Sequence, residues 1–167
     1  MSPSPFMVDW IARERGGHPR ALDVAMGGGR HAVTLARAGF RTFGVDLRWN
    51  AVREAMTTAE AEGMRVGGWC ADLTRYPLPR ERFDLVVVCR YLQRDLFPAL
   101  RAACAPGGVV LYETFTTAQR ALGTGPRSPN HLLEPGELRQ RFDGFEELFY
   151  EEVSAPEAVA RIAARRA

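Results

Sequence analysis

The stretch Leu22-Asp-Val-Ala-Met-Gly-Gly-Gly-Arg-His-Ala32 decides how this chain folds. Ala21 to Met26 is a short apolar run closed by three glycines, the pattern of a strand that ends in a tight turn. His31 to Ala38 then carries helical spacing and stops at Gly39. Glycines let the backbone turn sharply and leave no Cβ in the way of a ligand. The helix N-terminus behind them offers unpaired amide hydrogens and a positive dipole end to an anionic group, and Arg30 and His31 add further donors.

Working outward, the same alternation repeats. Arg41 to Asp46 reads as a second strand, and Ala51 to Glu62 as a helix stopped by Gly63. Met64 to Leu73 supplies a third strand before Tyr76-Pro-Leu-Pro79 breaks the chain. Phe83-Asp-Leu-Val-Val-Val-Cys89 is a β-branched run of the kind buried on both faces of a sheet. A helix over Arg94 to Cys104 and a strand over Val109 to Thr114 follow. Toward the N-terminus, Phe6, Met7, Trp10 and Ile11 repeat at helical spacing, and Gly16-Gly17 closes that leading helix. Toward the C-terminus, Glu134-Pro-Gly-Glu-Leu starts a short helix with Pro135 in its first turn. Phe145 to Val153 reads as a strand, and Ala158 to Ala164 reads as either a strand or a helix. Strands alternating with helices build parallel βα units with right-handed crossovers, so the fold class is α/β, doubly wound. Ligands on such sheets sit beyond the C-terminal strand ends, at the switch point.

Those strand ends carry acids. Asp23 lies inside the first strand, where a carboxylate is costly unless paired. It would accept from an ammonium or from amides of the turn. Asp46 ends the second strand and suits ribose hydroxyls, and Asp72 ends the third and suits an adenine amino group. Gly27-x-Gly29-x-x-Ala32 also satisfies the dinucleotide fingerprint, which keeps a nicotinamide cofactor open. Asp23 weighs against it, as does the expectation of a single domain, with no second one to hold a hydride acceptor.

Leu22 to Ala32, Gly44-Val-Asp46, Ala71-Asp-Leu73, Phe83 to Val88 and Ala105-Pro-Gly-Gly-Val-Val110 together resemble the successive motifs of class I S-adenosylmethionine-dependent methyltransferases. Within that class the chain is similar to the small tellurite-resistance-type enzymes, on the tracts Cys89 to Pro98, Tyr112-Glu-Thr-Phe115 and Asn130 to Glu137. The resemblance implies a Rossmann-like sandwich with a seven-stranded, mostly parallel sheet whose last strand is antiparallel, which makes Ala158 to Ala164 a strand. It implies a cofactor set of Asp23, Ala25, Gly27, Gly29, Arg30, Asp46, Leu47, Ala71, Asp72, Leu73, Cys89 and Arg90. The glycines would lie under the methionine part, Asp46 on the ribose, Asp72 on the adenine amine, and Cys89 to Tyr91 near the sulfonium. Ala25 departs from the pattern, since the family's loop has glycine there, and its methyl narrows the room around the methionine part.

The expected organisation is a single methyltransferase domain over 1–167. A leading helix spans 1–17, a cofactor-binding half 18–114, a substrate-side loop 115–133, and a C-terminal helix and strand pair 134–167. Tyr91, Glu113, Gln119, Arg127 and Asn130 are candidate substrate contacts, because the strand ends and the long loop would overhang the pocket. No histidine or carboxylate stands out as a general base, so no catalytic residue is assigned. The expected reaction is in-line methyl transfer to a small S, N, O or metalloid nucleophile. A protein or RNA methyltransferase and a non-catalytic S-adenosylmethionine-binding module are the alternatives.

Composition narrows the rest. All 22 basic residues are arginine, the net charge is +2, and acids are interspersed, so the basic stripe of a nucleic-acid binder is missing and no DNA partner is expected. Arg161, Arg165 and Arg166 read as a solvated basic tail, and Cys70, Cys89 and Cys104 as small buried hydrophobes of a reducing compartment. His18, His31 and His131 have no metal spacing. The apolar runs are too short for a membrane, and the protein is expected to be cytoplasmic, as a monomer or homodimer.

Overall fold

The computed structural model describes residues 1–16 and 19–167. Gly17, expected to help close the leading helix, and His18 lie outside the described residues. Helix α1 (Pro5–Glu14) precedes β1 (Arg20–Val24), α2 (Arg30–Arg37), β2 (Arg41–Asp46), α3 (Trp49–Ala61), β3 (Val66–Cys70) and β4 (Phe83–Cys89). After a short 3₁₀ turn come α4 (Phe97–Ala103), β5 (Cys104–Phe115), α5 (Glu137–Arg141), β6 (Glu146–Val153) and β7 (Val159–Arg165).

The seven strands form one sheet in the order β3-β2-β1-β4-β5-β7-β6. Pairings from β3 through β5 are parallel, and β7 runs antiparallel to both β5 and β6. This is the Rossmann-like sheet that the alternating pattern requires, with β1 and β4 at its centre. The apolar run of β4 is buried on both faces. Val86 and Val88 join Leu22, Val24, Val110 and Tyr112 under α4 and α5, while Leu85 and Val87 join Ala21, Val109 and Leu111 under α1. No described helix is long and apolar enough to cross a membrane.

Four local expectations change. The sheet register carries β5 back through Pro106-Gly-Gly108 to Cys104, because Cys104 already pairs with Phe83 before an irregularity in the ladder. The short C-terminal helix starts at Glu137 with Gly136 at its N-cap in the left-handed region, so Pro135 stands just outside it. The 115–133 segment is not a plain loop. Two 3₁₀ turns, Thr117–Leu122 and Pro129–His131, and a Thr116–Leu133 bridge organise it. The C-terminal arginines are not a solvated tail either. Arg161 pairs with Glu113 and Glu151, Arg165 with Glu14 at 3.2 Å, and Arg166 with Glu81 at 3.3 Å.

The β1–α2 turn fixes where the site lies. The Met26 amide donates to Val45 O at 3.0 Å and the Gly29 amide to Met26 O at 3.0 Å, so the turn is knitted to β2 and to itself. Gly29 has φ +84, and a Cβ there would stand 2.5 Å from the Ala55 Cβ of α3. Only glycine meets both constraints. Gly29→Ala is expected to cost about 2–5 kcal/mol in denaturant unfolding, from overlap and left-handed strain together. Adding Ala55→Gly should recover only part of the loss, since it removes the 2.5 Å Cβ contact but leaves the Ala55 Cα at 2.9 Å and the left-handed strain.

Candidate functional site

Two adjoining cavities open at the C-terminal ends of β1, β2 and β4. The larger, about 590 Å³, runs from Asp23 and the glycine turn past Arg30 and His31 to Cys89. The smaller, about 360 Å³, lies beyond Asp46 and is walled by Leu47, Ala71, Asp72, Leu73 and Tyr91. Ala25, Gly27 and Arg90 line both and form the saddle between them.

Asp23 is 1 % exposed, and its Oδ2 has no hydrogen-bond partner. Burial pushes its carboxyl up from 3.8 to about 7, against the opposing pull of the Ala32 amide and the Arg30 charge. A buried carboxyl oxygen on a cavity wall can accept a hydrogen bond from an incoming donor. Arg30 is the complementary case. It is half-buried in the first turn of α2 and makes no ion pair among the described residues; its guanidinium reaches only Ser2 O at 3.4 Å and the Cys89 sulfur at 3.9 Å. At Gly27, φ is +54, and a Cβ would meet nothing within 4 Å, so the turn leaves open space there. Ala25 adopts φ 54 with a side chain, a conformation that L residues rarely take.

Asp46 has a structural task as well as a place on the rim. Its Oδ2 accepts from the Gly27 amide at 2.9 Å and its Oδ1 from the Arg48 amide at 2.9 Å. Each oxygen keeps capacity for another donor. Asp72 accepts from both the amide and the hydroxyl of Thr74, at 2.9 and 2.6 Å, and these bonds hold its carboxyl below the usual range. Leu47 is 66 % exposed on the same rim, an unusual position for a large apolar side chain.

The β4 end supplies the remaining wall. The Cys89 thiol donates to Glu113 Oε1 at 3.7 Å, and burial, then the Glu113 charge, pushes it up to about 12, so it stays protonated. Tyr91 lines the smaller cavity and donates to Gln93, while its carbonyl accepts from the Tyr112 hydroxyl. Burial, with the Arg30 and Arg90 charges, lowers His31 to about 4. The neutral ring accepts the Ser4 amide at Nε2, 3.0 Å away, and so straps the N-terminal segment across the larger cavity, where Met1 and Pro3 form part of the wall.

The other candidate residues are occupied elsewhere. Glu113 is buried against Arg161 and lines neither cavity. Gln119 is 1 % exposed with its amide fully engaged. Its Oε1 accepts from Ala158 N at 2.7 Å, and its Nε2 donates to Thr124 O at 2.9 Å. Arg127 and Asn130 are exposed and line neither cavity. Cys70 is exposed, not buried, and its thiol donates to Leu47 O at 3.1 Å. The N-terminal strap and the Arg94 clamp had no readable signal. Arg94 grips Glu137 at 2.8 and 2.9 Å and the Pro129 and Leu132 carbonyls, joining segments about 40 residues apart that only the tertiary fold brings together.

Comparison with known proteins gives concordant results. A family model described as a methyltransferase domain matches residues 21–108. The ubiquinone biosynthesis O-methyltransferase of Aromatoleum aromaticum is 32% identical over 118 residues, covering 66% of this chain and 50% of that protein. Its counterpart from a Methylobacterium species is 32% identical over 67% of this chain and 47% of that protein. The chain thus spans about half the length of the curated relatives it matches. Among solved structures, TehB from Haemophilus influenzae superposes with a TM-score of 0.81 at 17% identity, over 99% of this chain and 63% of that one. The magnesium protoporphyrin IX methyltransferase of Synechocystis, solved with bound SAH, superposes with 0.72 at 18% identity, over 96% of this chain and 80% of that one.

The Asp23 environment sets a stability test. At low pH its carboxyl is protonated in both folded and unfolded chains. Between 3.8 and about 7 only the unfolded chain ionises, so stability is lost as pH rises and levels off above that window. The stability of Asp23→Asn minus that of the wild type should therefore grow by up to about 1.4 kcal/mol per pH unit across this range, in denaturant titrations of the free protein.

Proposed function

The chain belongs to the class I S-adenosylmethionine-dependent methyltransferases, and from that premise we propose that it moves a methyl group from this cofactor to a small-molecule nucleophile. The observation that carries the reading is an unpartnered buried carboxyl oxygen on Asp23 and an Arg30 that makes no ion pair among the described residues, both lining the cavity at the glycine turn. One matches an ammonium and the other a carboxylate, the two ends of an amino-acid moiety. Gly27, with open space where a Cβ would stand, lines the same cavity. The residues therefore fit the cofactor.

Asp23 and Arg30 would hold the methionine part beside Gly27 and Gly29. Asp46 would take the ribose hydroxyls on its remaining acceptor capacity. Asp72 would take the adenine amine, with Leu47, Ala71 and Leu73 as the apolar wall; contact with a flat ring also gives Leu47 a reason for its exposure. Cys89 and Arg90 would border the reacting end. When bound, S-adenosylmethionine supplies a methyl group on a sulfonium, already activated for displacement.

What the protein adds is alignment and exclusion of water. The Asp23 carboxyl on the cavity wall is taken by the cofactor's ammonium in this reading, and neither His31 nor Cys89 supplies a base. His31 is neutral with its Nε2 engaged by Ser4, and the Cys89 thiol keeps its proton. Positioning is then the main contribution, and the acceptor is one that gives up its proton readily or has none to lose. The names of the curated relatives favour an oxygen nucleophile.

Titration calorimetry with S-adenosylhomocysteine tests the reading, and saturable one-to-one binding is expected. No binding at millimolar ligand overturns it, and binding without methyl transfer to any small nucleophile would assign a cofactor-binding module instead. Because the ammonium needs an ionised Asp23, affinity should weaken about tenfold for each pH unit below about 7. Asp23→Asn should lose that dependence and bind more weakly by about 1.5–3 kcal/mol at pH 8.

A further inference from the structure

Arg90 stands where β4 ends, on the saddle between the two cavities, and three features set it apart. Its backbone has φ 55, a region that favours glycine, and its amide is fixed there by a bond to Glu113 O at 2.8 Å. A long charged side chain in a strained backbone position at a cavity wall points to a task for that side chain. Its guanidinium carbon lies over the Phe115 ring, 5.2 Å from the centroid, so the ring supports the cationic group. Its partner is Glu157, whose Oε2 accepts from Arg90 Nη2 at 2.7 Å, with both side chains more than a third exposed.

Glu157 belongs to the β6–β7 turn, which Gln119 ties down through the Ala158 amide. The turn thus offers a carboxylate to Arg90 from outside the cavity. An exposed pair of this kind contributes little net stability and exchanges readily for another anion. The cationic fork matches a carboxylate in a planar, two-point manner. Arg90 also lines both cavities, beside the cysteine at which the reacting end of the site would lie.

Resting on the methyl-transfer reading, we propose that Arg90 determines acceptor specificity. The acceptor is a small molecule bearing a carboxylate, which displaces Glu157 from Arg90 and so orients its nucleophilic atom. Glu157 acts as a resident stand-in that holds the guanidinium until an anionic acceptor displaces it, which a neutral molecule does not.

The test uses benzoate and its uncharged amide, benzamide, titrated into the full chain saturated with S-adenosylhomocysteine and followed by calorimetry. Wild type should bind benzoate in preference to benzamide. Glu157→Gln removes the competitor without touching the cofactor set, and should bind benzoate about threefold tighter or more, with S-adenosylhomocysteine affinity unchanged. Arg90→Gln at saturating S-adenosylhomocysteine should lose the preference for benzoate. Equal binding of benzoate and benzamide, no benzoate binding to wild type and Glu157→Gln, or an undiminished preference in Arg90→Gln each overturns the proposal while the cofactor still binds. Failure of S-adenosylhomocysteine to bind is a separate result, which overturns the methyl-transfer reading and the proposal with it.

Discussion

A carboxyl group shut away at the end of the central strand, with one oxygen unpartnered, is a standing cost to the folded chain. Asp23 carries that cost in β1, and its surroundings are arranged about it. Water is excluded by the strands on either side, so the group holds its proton up to about 7. Leaving a buried acceptor unsatisfied is unfavourable unless something arrives to use it. Arg30 across the turn is near enough to lower the cost and not near enough to remove it. The free protein is thus less stable at the glycine turn than its packing allows, and a ligand carrying both an ammonium and a carboxylate would recover the difference.

Sheet topology is what brings the other groups to this point. Because β4 crosses over to lie beside β1, the ends of β1, β2 and β4 open on one crevice. Asp46 then serves two ends at once. Its carboxylate holds the Gly27 amide and still faces the smaller cavity, so the turn and the rim are tied by one side chain. On the far side His31, neutral because it is buried between arginines, fastens the N-terminal segment. Rim, turn and strap thus all attach to the β1–α2 connection, Asp46 through the Gly27 amide and Ser4 through the His31 ring.

Much of this was legible in the residues. Strict alternation of strand and helix patterns placed β1, β2 and β4 and hence the crevice, and acids at strand ends stood out because buried runs are otherwise apolar. Side chains whose partners lie far along the chain were not legible. Gln119 meets Ala158, Glu113 meets Arg161 and Arg94 meets Glu137, and nothing local marks these pairs. Local sequence alone points Glu113 and Gln119 toward the substrate, whereas the fold uses them to secure β7 and the turn before it. Boundaries moved for a related reason. Ladder bonds from β4 draw Cys104 into β5, which overrides the turn chemistry of Pro106-Gly-Gly108.

The protonation state of Asp23 ties stability, cofactor fit and site geometry together, and it is directly observable. The carbon-13 resonance of its carboxyl, followed through a pH titration with and without S-adenosylhomocysteine, reports it at one atom. A midpoint near 7 is expected in the free protein, with a fall to the ordinary carboxylate range or below once the ligand's ammonium is in place. A free-protein midpoint near the ordinary value of 3.8, or one near 7 that the bound ligand leaves unmoved, would contradict this expectation.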